Sequence, residues 1–126
     1  MTTRGSKPHE ALERLFHEPN RLAIVSALCA ADDGLPFVGL RDACGLTDGN
    51  LNRHLKVLEE AGAVRIGKKF VDDKPRTTVR LSREGLQRFQ DYLEVLTAVL
   101  KQAHRALPAT AKAHTGLVLA PAMART

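Results

Sequence analysis

Hydrophobic residues recur along this chain with two different periods, and the change of period divides it. Leu12, Leu15 and Phe16 share one face of a short segment, residues 9–17, that reads as a first helix. Pro19 stands where a second helix can begin, because a proline at the first helical position gives up no helical hydrogen bond. That helix carries Leu22, Val25, Leu28 and Cys29 at steps of three and four, and it stops at Asp32-Asp33-Gly34. Leu35-Pro36-Phe37 reads as a short extended piece. Residues 38–44 predict a third, short helix that buries Leu40 and Ala43, and Gly45 ends it in a sharp turn. Thr47 is a good N-cap for the next helix, residues 48–61. Asp48 suits that helix's positive end, and Gly62 is its stop.

From residue 64 the period is two. Val64, Ile66 and Phe70 alternate with Arg65, Gly67 and Lys69; Thr77, Val79 and Leu81 alternate with Arg76, Thr78 and Arg80. The stretch between them, residues 71–75, is a polar turn, so the pair predicts a β-hairpin. Ser82 then caps a long helix, residues 83–106. On it Leu86, Phe89, Leu93, Leu96, Leu100 and Ala103 form a heptad-like seam, and Tyr92, Val95 and Val99 form a second stripe. Residues 1–8 are polar and expected to be disordered. Residues 107–126 are rich in Ala, Thr and Pro and read as a disordered tail. One domain, residues 9–106, is expected between them.

The order is helix, helix, short helix, turn, capped helix, hairpin, long helix. It describes a mainly α fold with a small β-hairpin wing, a winged helix-turn-helix. The second helix of the turn motif can be read face by face. With Leu51, Leu55 and Leu58 inward, Gly49, Arg53, Lys56 and Glu60 face out, Asn50 and Asn52 flank them, and His54 sits at the boundary. Asn can bond adenine with two hydrogen bonds and Arg can do the same with guanine, so this face suits the edges of bases in a major groove. Gly49 leaves room for close backbone approach. Lys68, Lys69, Lys74 and Arg76 cluster at the hairpin, where they suit phosphates. Asp72 and Asp73 at the tip count against deep insertion. His54 is equally suited to packing at the core edge and to touching a phosphate.

Composition sharpens this without deciding it. The chain has 126 residues, is 44% hydrophobic, and carries 19 Lys+Arg against 14 Asp+Glu. The resulting charge of +5 favours an anionic partner. Aromatics are only 4%, too few for the stacking platforms of single-strand binders. Cys29 and Cys44 lie at no metal or redox spacing and read as small buried hydrophobes in a reducing cytoplasm. The five histidines are scattered, and no nucleophile, metal or cofactor site is expected. Neither a signal peptide nor a membrane span is apparent.

Residues 46–64, Leu-Thr-Asp-Gly-Asn-Leu-Asn-Arg-His-Leu-Lys-Val-Leu-Glu-Glu-Ala-Gly-Ala-Val, resemble the recognition-helix signature of short MarR-like winged-helix regulators, with kinship to the ArsR type. Pro19-Asn20-Arg21-Leu22-Ala23-Ile24 is similar to their helix start, and residues 76–85 to their wing return. The resemblance implies a homodimer that binds a palindromic operator, usually as a repressor. It implies that Asn50, Asn52, Arg53 and His54 lie at the DNA, with Arg76 on the wing; Thr47, at the start of the same helix, is a further candidate DNA contact. The paired cysteines of an ArsR metal site are absent from the helix.

The width of the apolar arc on the long helix independently predicts dimerisation, through Leu12, Phe16, Leu86, Phe89, Leu93, Leu96 and Leu100. A small apolar effector would fit between the long helix, the first helix and the DNA-binding core, against Tyr92, Phe16 and Phe89, although these positions fit plain packing better. The competing expectation is a winged-helix module for protein–protein interaction that has lost DNA binding.

Overall fold

The computed structural model describes residues 12–109. The expected N-terminal segment, the start of the first predicted helix and the tail from residue 110 lie outside them. The elements are α1 (Pro19–Cys29), β1 (Leu35–Pro36), α2 (Phe37–Cys44), α3 (Asp48–Glu60), β2 (Val64–Val71), β3 (Lys74–Leu81) and α4 (Arg83–Ala106). The three strands form one antiparallel sheet in the order β1-β3-β2.

The core lies where the helices meet one face of this sheet. Ile24, Val25 and Leu28 from α1, Leu40 from α2, and Leu51, Leu55 and Leu58 from α3 are buried with Val64, Val79, Phe89 and Tyr92. Helix ends fall where local chemistry puts them. Gly45 follows α2 at φ 66°, and the amides of Gly45 and Leu46 bond back to Asp42 and Arg41. The Thr47 hydroxyl accepts from the Asn50 amide (3.1 Å) to start α3. At its far end, Ala63 N–H reaches Leu58 O and Gly62 N–H reaches Glu59 O, each at 2.9 Å, a Schellman closure. The Arg41 guanidinium donates to Asp48 (2.9 Å) and so ties α2 to α3 across the turn.

Four sequence expectations change. Residues 13–17 form a hydrogen-bonded turn rather than a helix, because Arg21 Nε donates to Leu15 O (2.7 Å) and holds the segment folded back on α1. Ala43 is exposed, as is Cys29, while Cys44 is only half-buried. The polar turn narrows to Asp72-Asp73, both with positive φ (53° and 64°), the geometry of a two-residue turn matched to strand twist. Phe70 belongs to the strand but lies beyond the core, 76% exposed.

The turn of residues 13–17 is also held from α4. Arg88 pairs with Glu13, donates to Ala61 O (2.8 Å) and lies over the Phe16 ring (6.0 Å). Phe16, Phe89 and Tyr92 pack ring to ring with centroids 5.3–5.8 Å apart, and all three are buried. They pack against one another in the place proposed for an effector. For the same reason Phe16 and Phe89 belong to the core of one chain and offer nothing to a second copy. Leu12 and Leu96 are half-buried against that core.

A close backbone approach joins the turn after α3 to the first turn of α4. Ser82 N–H bonds Ala63 O (2.9 Å), the Ser82 hydroxyl donates to Gly62 O (2.6 Å), and Gly85 N–H donates to that hydroxyl (2.8 Å). A Cβ on Gly85 would lie 2.0 Å from the Ala63 carbonyl oxygen, which is backbone and cannot swing aside. Gly85→Ala is expected to destabilise the fold by about 3 kcal/mol or more, read by denaturant unfolding. A loss below about 1 kcal/mol would show that the junction yields easily.

Candidate nucleic-acid interface

Helix α3 divides cleanly into two faces. Leu51, His54, Leu55 and Leu58 are buried, whereas Gly49, Asn50, Asn52, Arg53 and Lys56 are exposed. Arg53 Nη2 donates to Asn50 Oδ1 (3.4 Å), so an amide and a guanidinium stand side by side on the exposed face. A Cβ built on Gly49 meets nothing within 4 Å, so the bare backbone there answers no need of the fold itself. Thr47 is exposed, with its hydroxyl engaged in capping.

His54 is not on this face. It is 2% exposed and points to the start of α1. Its Nδ1 accepts from Arg21 Nη1 (3.3 Å), its Nε2 lies 3.4 Å from the Asn20 amide, and Glu18 Oε1 is 3.9 Å from Nδ1. Glu18 is the N-cap of α1 and accepts from Arg21 N (2.8 Å). The sequence placed His54 at the edge of the helix wheel, and packing against α1 turned it inward. An imidazole that accepts from a guanidinium is neutral. Burial pushes its pKa below the usual histidine value, with the neighbouring Arg53 and Arg21 charges adding to that and Glu18 opposing it. Glu18 is itself held below the usual carboxylate range; burial works against this, and the Arg21 amide, His54 and the Arg21 charge outweigh it.

The wing supplies a second set of cations. Lys68, Lys69, Lys74 and Arg76 are all exposed, but they do not form one cluster. Successive side chains of a strand point to opposite faces. Register pairs Lys69 with Arg76 and Val71 with Lys74 on the outer face, while Lys68 pairs with Thr77 on the core-side face. Lys69 also reaches Asp33 O (3.5 Å). Among the described residues no group of His, Cys, Asp and Glu could hold a metal ion, and no helix is long and apolar enough to cross a membrane.

The exposed amide-and-guanidinium helix, its buried leucine back and the basic hairpin are the working parts of a winged-helix DNA-binding domain. Residues 20–100 match the family described as winged helix DNA-binding domain, and the chain belongs to that family. An uncharacterized protein of Methanocaldococcus jannaschii is 31% identical over 80 residues, which span 64% of this chain and 86% of that one. A transcriptional regulator homologue from Pyrococcus horikoshii OT3 superposes with a TM-score of 0.71 at 30% identity, covering 76% of this chain and 96% of that one. A MarR-family transcriptional regulator from Silicibacter pomeroyi shares the fold at 21% identity, with a TM-score of 0.57 over 92% of this chain and 76% of its own.

The buried histidine makes stability depend on pH. Its folded-state pKa lies below its unfolded value of about 6.5, so the unfolded chain takes up the proton first. The stabilisation is fully present above that value and is lost as pH falls below it. The thermal midpoint should therefore drop as pH falls below about 6.5, and His54→Gln should flatten that part of the curve. An unchanged slope in the variant would assign the dependence to other groups.

Proposed function

We propose that this chain is a homodimeric transcriptional regulator that reads an inverted-repeat operator, acting as a repressor. The observation that carries the reading is the outer face of α3, where Asn50, Asn52, Arg53 and Lys56 stand exposed beside a bare Gly49. These groups match major-groove base edges and phosphates, and they argue against a protein-interaction module, whose outer face would be acidic or apolar. The relatedness to a transcriptional regulator homologue at 30% identity supports the same role, that of a binding protein rather than an enzyme.

Dimerisation is supported by α4. Leu86, Leu93 and Leu100 recur every seven residues and are 41%, 39% and 58% exposed, an apolar line that one chain leaves in water. A two-fold pairing along it would set two α3 helices about one DNA turn, roughly 34 Å, apart.

Selection from random duplex DNA at several salt concentrations tests the reading. Enrichment of an inverted repeat, with affinity falling as salt rises, is the expected result. Salt-sensitive binding with no enriched motif would leave only a basic surface. On the selected operator, Arg53→Ala should weaken binding by about 1–3 kcal/mol and relax preference at one position, with folding unchanged. Gly49→Ala separates the two roles of its position. Helix propensity should make the variant up to about 1 kcal/mol more stable, while the added methyl costs operator affinity. Leu93→Glu should convert the dimer to a monomer in sedimentation; a dimer that persists would place the interface elsewhere.

A further inference from the structure

The outer face of the wing carries more charge than contact at its tip requires. Register sets Arg65 directly opposite Arg80 and Lys69 directly opposite Arg76, all four exposed on the face turned away from Val64, Ile66, Val79 and Leu81. Like charges directly across a strand pair destabilise a sheet. Here two such pairs follow one another about 13 Å apart along the strands. Among the described residues none of the four lies within ion-pair distance of a carboxylate. Between the two pairs stand Gly67 and Thr78, opposite each other, and Gly67 has no side chain to fill the space above it. Arg65, Arg80, Lys69, Gly67 and Thr78 thus frame a shallow depression of about 290 Å³, which Asp33 borders at one edge. A low floor flanked by the Arg65–Arg80 pair and Lys69 is a shape that phosphates fill, since each phosphate relieves the repulsion beside it.

We propose that this face is a second phosphate-binding surface, on which Arg65 and Arg80 hold the backbone of duplex DNA flanking the operator. The proposal rests on the operator-binding reading above and adds to it two residues at the base of the wing. They stand toward the base of the wing, away from its tip, and in this proposal the flank bends toward the protein to reach them. That bend is an elastic cost which the additional phosphate contacts offset.

The test compares two duplexes: the selected operator of about 20 bp, and the same site extended by about one helical turn (10 bp) at each end. Wild-type protein should bind the extended duplex more tightly. The double variant R65Q/R80Q should lose that increment while keeping its affinity for the short one. On the extended duplex the slope of log affinity against log salt should become shallower by about 1.8 per wing engaged, from two lost phosphate contacts. Circularly permuted fragments should show a smaller bend with the variant. The free variant should melt at the same temperature as wild type or higher, because a repulsion has been removed. Equal wild-type affinity for both duplexes would overturn the proposal while leaving the operator reading intact. So would an equal loss on both duplexes, a lowered melting temperature, or a complex that takes up a second separate duplex. Failure of wild type to bind the short operator would remove the operator reading itself, and this surface with it.

Discussion

Where α3 ends and α4 begins, two stretches of backbone meet with no side chain between them. The Ala63 carbonyl receives the Ser82 amide while the first turn of α4 passes close against it at Gly85. The Ser82 hydroxyl is shared between a carbonyl of one segment and an amide of the other. This junction closes the hairpin at its base and sets the angle at which α4 leaves. Helix α3, the base of the wing and α4 are thereby joined at one point. If α4 carries the partner, the same few atoms relay the spacing of a dimer to the faces that meet DNA.

A second anchor acts from the opposite side. The polar knot of Glu18, Asn20, Arg21 and His54 fixes the underside of α3 against the start of α1, with each charged or polar group facing another. A leucine stripe alone resists separation but tolerates small rotations, because apolar contact has no direction. The directional bond that His54 accepts from Arg21 opposes that freedom in a helix whose exposed face carries Asn50 and Arg53. The histidine thus acts behind the exposed face of α3, by tying the helix to α1.

Most of the fold was legible in the sequence because its signals are local. Thr47, Ser82, Gly45 and Gly62 mark helix ends through bonds made within a few residues, and the leucines of α3 repeat with the helix period. What was not legible depends on partners distant in the chain. Residues 13–17 carry a helical pattern but are drawn into a turn by Arg21 and Arg88. His54 sits on a wheel boundary, so only the position of α1 decides its side. Phe16 and Phe89 look like interface residues until they are seen to fill each other's space. The wing cations looked like one cluster because they were grouped by nearness in sequence, without the alternation that sets Lys68 on the other face. With Asp72-Asp73 in place of the glycine that usually marks such a turn, its length was hidden as well.

That two-residue turn has a consequence for how the protein can change over time. It locks the register of β2 on β3, and register alone decides which face each wing side chain occupies. Substitutions in the wing alter one contact at a time. Insertion or loss of a single residue within one strand would instead exchange the two faces beyond that point, sending cations inward and apolar groups into water. Single wing positions outside the core should therefore change more readily among descendants of this chain than its length, which stays fixed or changes only by paired steps that restore the alternation.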